Sequence, residues 1–246
     1  MIREWVDYLL EGCQDEVRSL RKYFLMTTKT QSLESKTPDS PTLYKRLFAW
    51  LMAHGNAQYE AEIADQKQDL FADLQGKILE IGPGTGPNLS YYPPNINWIG
   101  VEPNPFMDYY LRQKAEQLGL DIDIRRGTAE NLDVEDRSID AVVSTLVLCS
   151  VDSLAATLQE VLRVLKPGGR FFFLEHVAAP KDTGLRKVQN WVKPLWKTIG
   201  DGCHPDRETW VALENAGFER VDYQHFRANV PAIVSPHIIG VATKKQ

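Results

Sequence analysis

A chain of 246 residues, 43% hydrophobic and 25% charged, has ordinary globular composition and enough length to bury a large core as one domain. Its 28 basic and 33 acidic residues leave a formal net charge of −5, which argues against a surface built for a nucleic-acid backbone. The three cysteines, Cys13, Cys149 and Cys203, form no CxxC pair or disulfide framework and offer no metal-ligand spacing, so a reducing compartment is expected. No stretch reaches the roughly 18–20 apolar residues that span a bilayer. The acids close behind Met1 are unlike a secretory signal. A soluble, cytoplasmic protein, at most peripheral to a membrane, is expected.

Trp5, Leu9, Leu10, Val17, Leu20 and Phe24 recur at helical spacing and predict a helix over residues 2–25. Residues 27–41 are rich in Thr, Ser, Lys and Pro and predict a flexible loop. Two further helices are predicted at 42–54 and 57–74. Residues 1–74 thus form a helical extension, with Tyr44, Phe48 and Trp50 as lid or wall candidates, and 75–246 form the main domain. Lys45 and Arg46 flank that apolar stripe, which leaves a peripheral membrane face open.

From Lys77 onward strands and helices alternate. Strands are predicted at 77–81, 97–102, 121–126, 139–145 and 169–176, and a helix at 152–165 stops at Lys166-Pro167-Gly168-Gly169. A helix at 207–216 and two strands at 218–226 and 237–242 follow. No helix fits between those last strands, so they pair antiparallel at the sheet edge. The class is α/β: a Rossmann-like, seven-stranded, mostly parallel sheet with an antiparallel edge strand and helices on both faces.

The strongest chemical signal is Glu80-Ile81-Gly82-Pro83-Gly84-Thr85-Gly86, an acid and three alternating glycines closing an apolar strand. Glycines let the chain turn tightly and present N–H groups, and a following helix N-terminus favours a ligand carboxylate. Glu102, closing the next strand, sits where an acid accepts both ribose hydroxyls. The dinucleotide fingerprint fails, because its last position holds Pro87 or Leu89. The pattern fits a methyl donor, S-adenosylmethionine, released as S-adenosylhomocysteine. Candidate cofactor residues are Glu80, Gly82, Pro83, Gly84, Thr85, Gly86, Asn88, Glu102, Pro103, Asn104, Thr128, Ala129, Glu130, Thr145 and Leu146. Glu130 is placed near the adenine amino group.

Taken together these residues resemble a class I S-adenosylmethionine-dependent methyltransferase. Downstream strings narrow the resemblance: 144–151 (STLVLCSV), 175–178 (EHVA), 199–203 (IGDGC), 207–210 (RETW), 213–216 (LENA) and 236–238 (PHI) are similar to the methyltransferase-like protein seven group. That group comprises thiol S-methyltransferases acting on small thiols, so the resemblance implies a small-molecule thiol acceptor. Two departures stand out. The group's hydrophobic N-terminal anchor is replaced by a segment interrupted by Asp7, Glu11 and Asp15, and its Cys-Cys pair is Cys203-His204 here.

A thiol with pKa near 8.5 is already partly ionised at neutral pH, so a weak base suffices. His176, Asp201 and His204 are the candidate bases, each with a structural reading beside the catalytic one. A C-, N- or O-methyltransferase of a quinone, phospholipid or natural product, and a catalytically silent cofactor-binding scaffold, are the competing readings.

Overall fold

The computed structural model describes residues 40–93 and 96–246. The helix predicted over 2–25 and most of the loop predicted over 27–41 lie outside the described residues. Ser40 and Pro41 open a helix rather than close that loop.

Seven strands form one sheet: β1 (Lys77–Ile81), β2 (Asn97–Glu102), β3 (Ile122–Arg126), β4 (Ile139–Thr145), β5 (Leu165–His176), β6 (Arg220–Arg227) and β7 (Pro236–Thr243). Their order is β3-β2-β1-β4-β5-β7-β6. The first five pair in parallel. β7 runs antiparallel to both β5 and β6, which puts the antiparallel portion at one edge as the sequence implies.

Alternation along the strands sorts the core onto two faces. Leu79, Ile81, Val142, Phe171 and Phe173 belong to one cluster, with Leu158 and Val161 of helix α5 (Leu154–Val164). Ile78, Trp98, Val143 and Phe172 belong to the other, with Phe71 of helix α3 (Ala64–Phe71) and Leu111 of helix α4 (Asp108–Leu118). Each such side chain contributes about 1.5–3 kcal/mol on burial. Both faces of β5 are covered, so Phe171, Phe172 and Phe173 follow one another without exposure.

Helix boundaries follow local chemistry. The Ser153 hydroxyl accepts from Ala156 N–H and starts α5; the Thr183 hydroxyl accepts from Arg186 N–H and starts α6 (Gly184–Ile199). Gly119, at φ 67°, stops α4. A short helix, α7 (Thr209–Asn215), leads toward β6.

Two predictions are corrected. The helix expected over 57–74 is two, α2 (Ala57–Glu62) and α3, broken at Ile63 (φ −109°, ψ 11°). The redirection buries Ile63 and Lys67, whose ammonium meets Glu60 at 2.6 Å. The break at Lys166-Pro167-Gly168-Gly169 does not delay β5, which starts at Leu165. Leu165 pairs with Ile139, and an irregularity between Ile139 and Ala141 absorbs the extra residues while Gly168 takes φ 72°.

Ahead of the sheet, α1 (Ser40–Gly55) lies against the site described below. Leu43 and Leu47 on α1, and Trp191 and Leu195 on α6, are exposed. Among the described residues no helix is long and apolar enough to cross a membrane.

Candidate active site

Strand order reverses between β1 and β4, so a crevice opens beyond their carboxyl ends, where open α/β sheets hold ligands. The glycine turn forms its floor. Gly82 and Gly84 have φ of 60° and 56°, left-handed values that cost any other residue about 1–2 kcal/mol. A Cβ on Gly82 would lie 2.7 Å from Val147, so the β4 turn closes directly onto the glycine turn. A Cβ on Gly84 would meet nothing within 4 Å: the chain is bare where the crevice is open. Past Gly86 the chain enters a five-residue 3₁₀-helix (Pro87–Tyr91), not the α-helix assumed from sequence. So short an element has little dipole, and anion binding there falls to individual N–H groups.

Glu80 points away from the strand face carrying Leu79 and Ile81 and is fully buried. Its Oε1 accepts from Asn88 Nδ2 at 2.8 Å; its Oε2 accepts from the Tyr92 hydroxyl at 2.8 Å and Trp98 Nε1 at 3.0 Å. Burial raises its pKa against those three donors. Glu80 therefore shapes the turn from beneath. The residue it presents is Asn88, whose Nδ2 also reaches Thr145 Oγ1 at 3.0 Å and whose Oδ1 is buried without a partner among the described residues.

Glu102 ends β2, with Oε2 accepting from Gly84 N–H at 3.0 Å and Oε1 from Asn104 N–H at 2.8 Å. Burial raises its pKa, and the two backbone donors oppose that rise. Each oxygen keeps a further lone pair for a diol. Asn104 Oδ1 accepts from Phe106 N–H, and its Nδ2 donates to the Lys45 carbonyl of α1 at 3.1 Å. Pro103 and Thr128 are exposed, and Ala129 is buried. The Glu130 carboxylate is already engaged. Its Oε1 accepts from Asp152 and Ser153 N–H at 2.8 and 3.2 Å, which fixes the start of the turn into α5. Against the raising effect of burial, these donors hold its carboxyl below the usual range.

The wall opposite is built on the β4 turn. Leu146 takes φ 60° without being glycine, a strained value held by its surroundings. Beneath it the buried Glu175 carboxylate accepts from Ser144 Oγ at 2.6 Å and from the N–H groups of Val147 and Leu148 at 3.2 and 3.0 Å. Burial pushes Glu175 up to about 6 despite these bonds. Arg207 donates to the carbonyls of Leu148 and Val151, and His204 N–H donates to the Cys149 carbonyl at 2.9 Å. The loop after α6 is thereby clamped onto the β4 turn.

Asp201 lies in that loop at φ 48°, half-buried, its pKa raised by burial. Its N–H donates to the Tyr44 hydroxyl at 3.1 Å, and that hydroxyl donates to the Ile199 carbonyl at 3.2 Å. Helix α1 thus joins the Glu102 side of the crevice, through Asn104, to the Asp201 side, through Tyr44. Burial and then Arg207 lower the pKa of His204, which favours its neutral imidazole. His176, buried at the end of β5, lies with Nε2 2.9 Å from Cys203 Sγ.

Residues 79–173 match a family described as "Methyltransferase domain". The human protein named Thiol S-methyltransferase TMT1A is 40% identical over 212 residues, 81% of this chain and 87% of that protein. Rat Thiol S-methyltransferase TMT1B is 41% identical over the same shares. The chain belongs to the thiol S-methyltransferase family. It is an S-adenosylmethionine-dependent methyltransferase. Among solved structures, a geranyl diphosphate methyltransferase is similar in fold, with a TM-score of 0.58 and 17% identity over 85% of this chain and 92% of that one.

Sequence reasoning placed the glycine turn, Asn88, Glu102, Asn104, Thr145 and Leu146 around one crevice, and the fold brings them there. It named Tyr44 as a lid or wall candidate without its bonds to the Asp201 loop, and it missed the Lys45 bridge to Asn104, Glu175 as the anchor of the β4 turn, and the meeting of His176 with two cysteines. Cys149, His176 and Cys203 present ligand atoms all within 4.8 Å of one another. No spacing rule reveals this: Cys203 is 27 residues from His176, and only the fold joins them.

Proposed function

We propose that this enzyme methylates small thiols, and that the crevice between β1 and β4 holds S-adenosylmethionine. The reading of the acceptor is carried by the similarity to named thiol S-methyltransferases, which covers 81% of this chain. When bound, the sulfonium supplies an activated methyl group. The chain's residues fit such a ligand. The open space over Gly84 admits a close approach to backbone. Asn88 Oδ1, a buried acceptor lacking a donor, suits the ammonium of a methionine tail. The two Glu102 oxygens suit a ribose diol. Ala129 and the turn fixed by Glu130 border the adenine end.

On the acceptor side the work is alignment and exclusion of water. Orientation of this kind lowers barriers by several kcal/mol, up to about 7–11 in favourable cases. Helix α1 acts as a lid whose Tyr44 and Lys45 tie the two sides together. Asp201 borders the lid through Tyr44, His204 follows in the same loop, and these are the groups able to take a thiol proton. Neither is a strong base, which matches an acceptor needing little help. Incubation of the purified chain with labelled S-adenosylmethionine and a panel of thiols, amines, phenols and quinols tests the reading. Transfer to thiols supports it; cofactor binding with transfer only to the other classes removes it.

A further inference from the structure

We propose that Cys149, His176 and Cys203 form a zinc site with one position open to the acceptor sulfur. The inference rests on the thiol reading above for the fourth ligand, but not for the ion itself.

Three separate segments deliver the ligands: the turn after β4, the end of β5 and the loop after α6. All three residues are buried, and their ligand atoms lie within 4.8 Å of one another. Zn–S and Zn–N lengths of about 2.3 and 2.0–2.1 Å in a tetrahedral arrangement imply ligand–ligand edges of roughly 3.5–3.8 Å. The edges here run from the 2.9 Å contact between His176 Nε2 and Cys203 Sγ to no more than 4.8 Å, so the cluster needs only side-chain adjustment, that contact opening by roughly half an ångström, to take the ion. Trp196 Nε1–H donates to Cys203 Sγ at 3.2 Å, the supporting contact that steadies a metal-bound thiolate. His176 Nδ1 is buried with no hydrogen-bond partner among the described residues, so the ring's polar engagement is with the sulfurs. Two thiolates and a neutral imidazole cancel the charge of Zn²⁺, which suits so enclosed a place. Among the described residues three protein ligands meet here, and three protein ligands that leave the fourth position to water or substrate is the pattern of reactive rather than structural zinc.

The cluster also stands at the reaction side of the crevice. Cys149 Sγ is 3.5 Å from the Leu146 carbonyl, and the neighbouring Val147 packs on Gly82. A thiol RSH entering the fourth position is acidified by the ion and needs neither Asp201 nor His204 as base: its proton goes to solvent and RS⁻ stays on zinc. The new S–C bond uses the electron pair of that sulfur, while the pair of the cleaved C–S bond stays with the donor sulfur. The product is a neutral thioether, a poor zinc ligand, and it leaves.

The test uses the full-length protein. Zinc is counted per chain after purification, and the stripped protein is then titrated anaerobically with cobalt(II). One ion per chain, sulfur-to-cobalt charge-transfer absorption, and a change of that spectrum on adding a small thiol are expected. Cys149→Ser, Cys203→Ser and His176→Gln are expected to lower zinc affinity by more than the roughly 10–100-fold that loss of a supporting contact costs, with S-adenosylmethionine binding retained as the check on folding. The wild-type cobalt spectrum serves where a variant fails to fold. No stoichiometric ion, no charge-transfer band, or a spectrum indifferent to thiol overturns the proposal. Full-rate methylation of thiols by the stripped chain also overturns it and leaves the thiol reading standing. A filled site in a protein that never methylates thiols removes that reading and the role of the fourth position instead.

Discussion

Glu102 and Gly84 set the terms at the residue scale, because one carboxylate ties the end of β2 to the glycine turn. Hydrogen bonds to a charged group are worth about 1.5–3 kcal/mol. Glu102→Ala is therefore expected to weaken S-adenosylmethionine binding roughly 10- to 100-fold by calorimetry, at about 1.4 kcal/mol per tenfold. Unchanged affinity would take the ribose role from it. Gly84→Ala separates folding from binding. The left-handed φ costs about 1–2 kcal/mol, but nothing in the protein meets the new methyl. Cofactor affinity should fall far more than thermal stability, and equal losses would mean that the crevice over Gly84 is not where the ligand lies. The acids and glycines of this turn were legible in sequence because the conformations they need are local. The direction in which Glu80 points was not, because it depends on Asn88, Tyr92 and Trp98 arriving around it. What holds Glu130 was hidden for a related reason: its partners are the N–H groups of a turn 22 residues away.

Among the elements, α1 carries the most consequence for function. It reaches both sides of the crevice through one backbone carbonyl and one hydroxyl, those of Lys45 and Tyr44. Tyr44→Phe removes the two bonds to Ile199 and Asp201, each worth about 0.5–1.5 kcal/mol. The expected outcome is a rise in acceptor KM of roughly three- to tenfold with cofactor affinity unchanged. A variant with wild-type acceptor kinetics would show that α1 is not a lid. The strands were legible because buried runs such as residues 78–81 and 139–145 leave little choice of element. The helix over 57–74 was not read correctly, since its periodicity continues through Ile63. What breaks it is the tertiary gain of burying Ile63 and the Lys67–Glu60 pair.

For the molecule as a whole, helix α5 is tied to the segment between β3 and β4 by Arg163, which donates to the Leu132 and Val134 carbonyls and pairs with Glu160 and Asp136. The Arg163 guanidinium, with Leu132 N–H behind it, holds the Glu160 carboxyl below its ordinary 4.5 against the raising effect of burial. A carboxyl depressed on folding binds fewer protons in the native state. Its stabilisation is therefore complete above about pH 4.5 and is lost as pH falls through the lower native value. Denaturant unfolding across that acid range should fall less steeply for Glu160→Gln than for the wild type; identical slopes would contradict the assignment. The class followed from the alternation of strands and helices, and the edge from the lack of a helix between the last two strands, whereas the strand order came only from the fold. The acceptor wall was out of reach of sequence, because Cys149, His176, Cys203 and Glu175 become neighbours only when β4, β5 and the loop after α6 close together. The direct measurement is transfer of labelled methyl from S-adenosylmethionine by the purified chain to matched thiol, amine, phenol and quinol acceptors. Saturable transfer to thiols alone is the predicted result, and cofactor binding with transfer only to the non-thiols would contradict it.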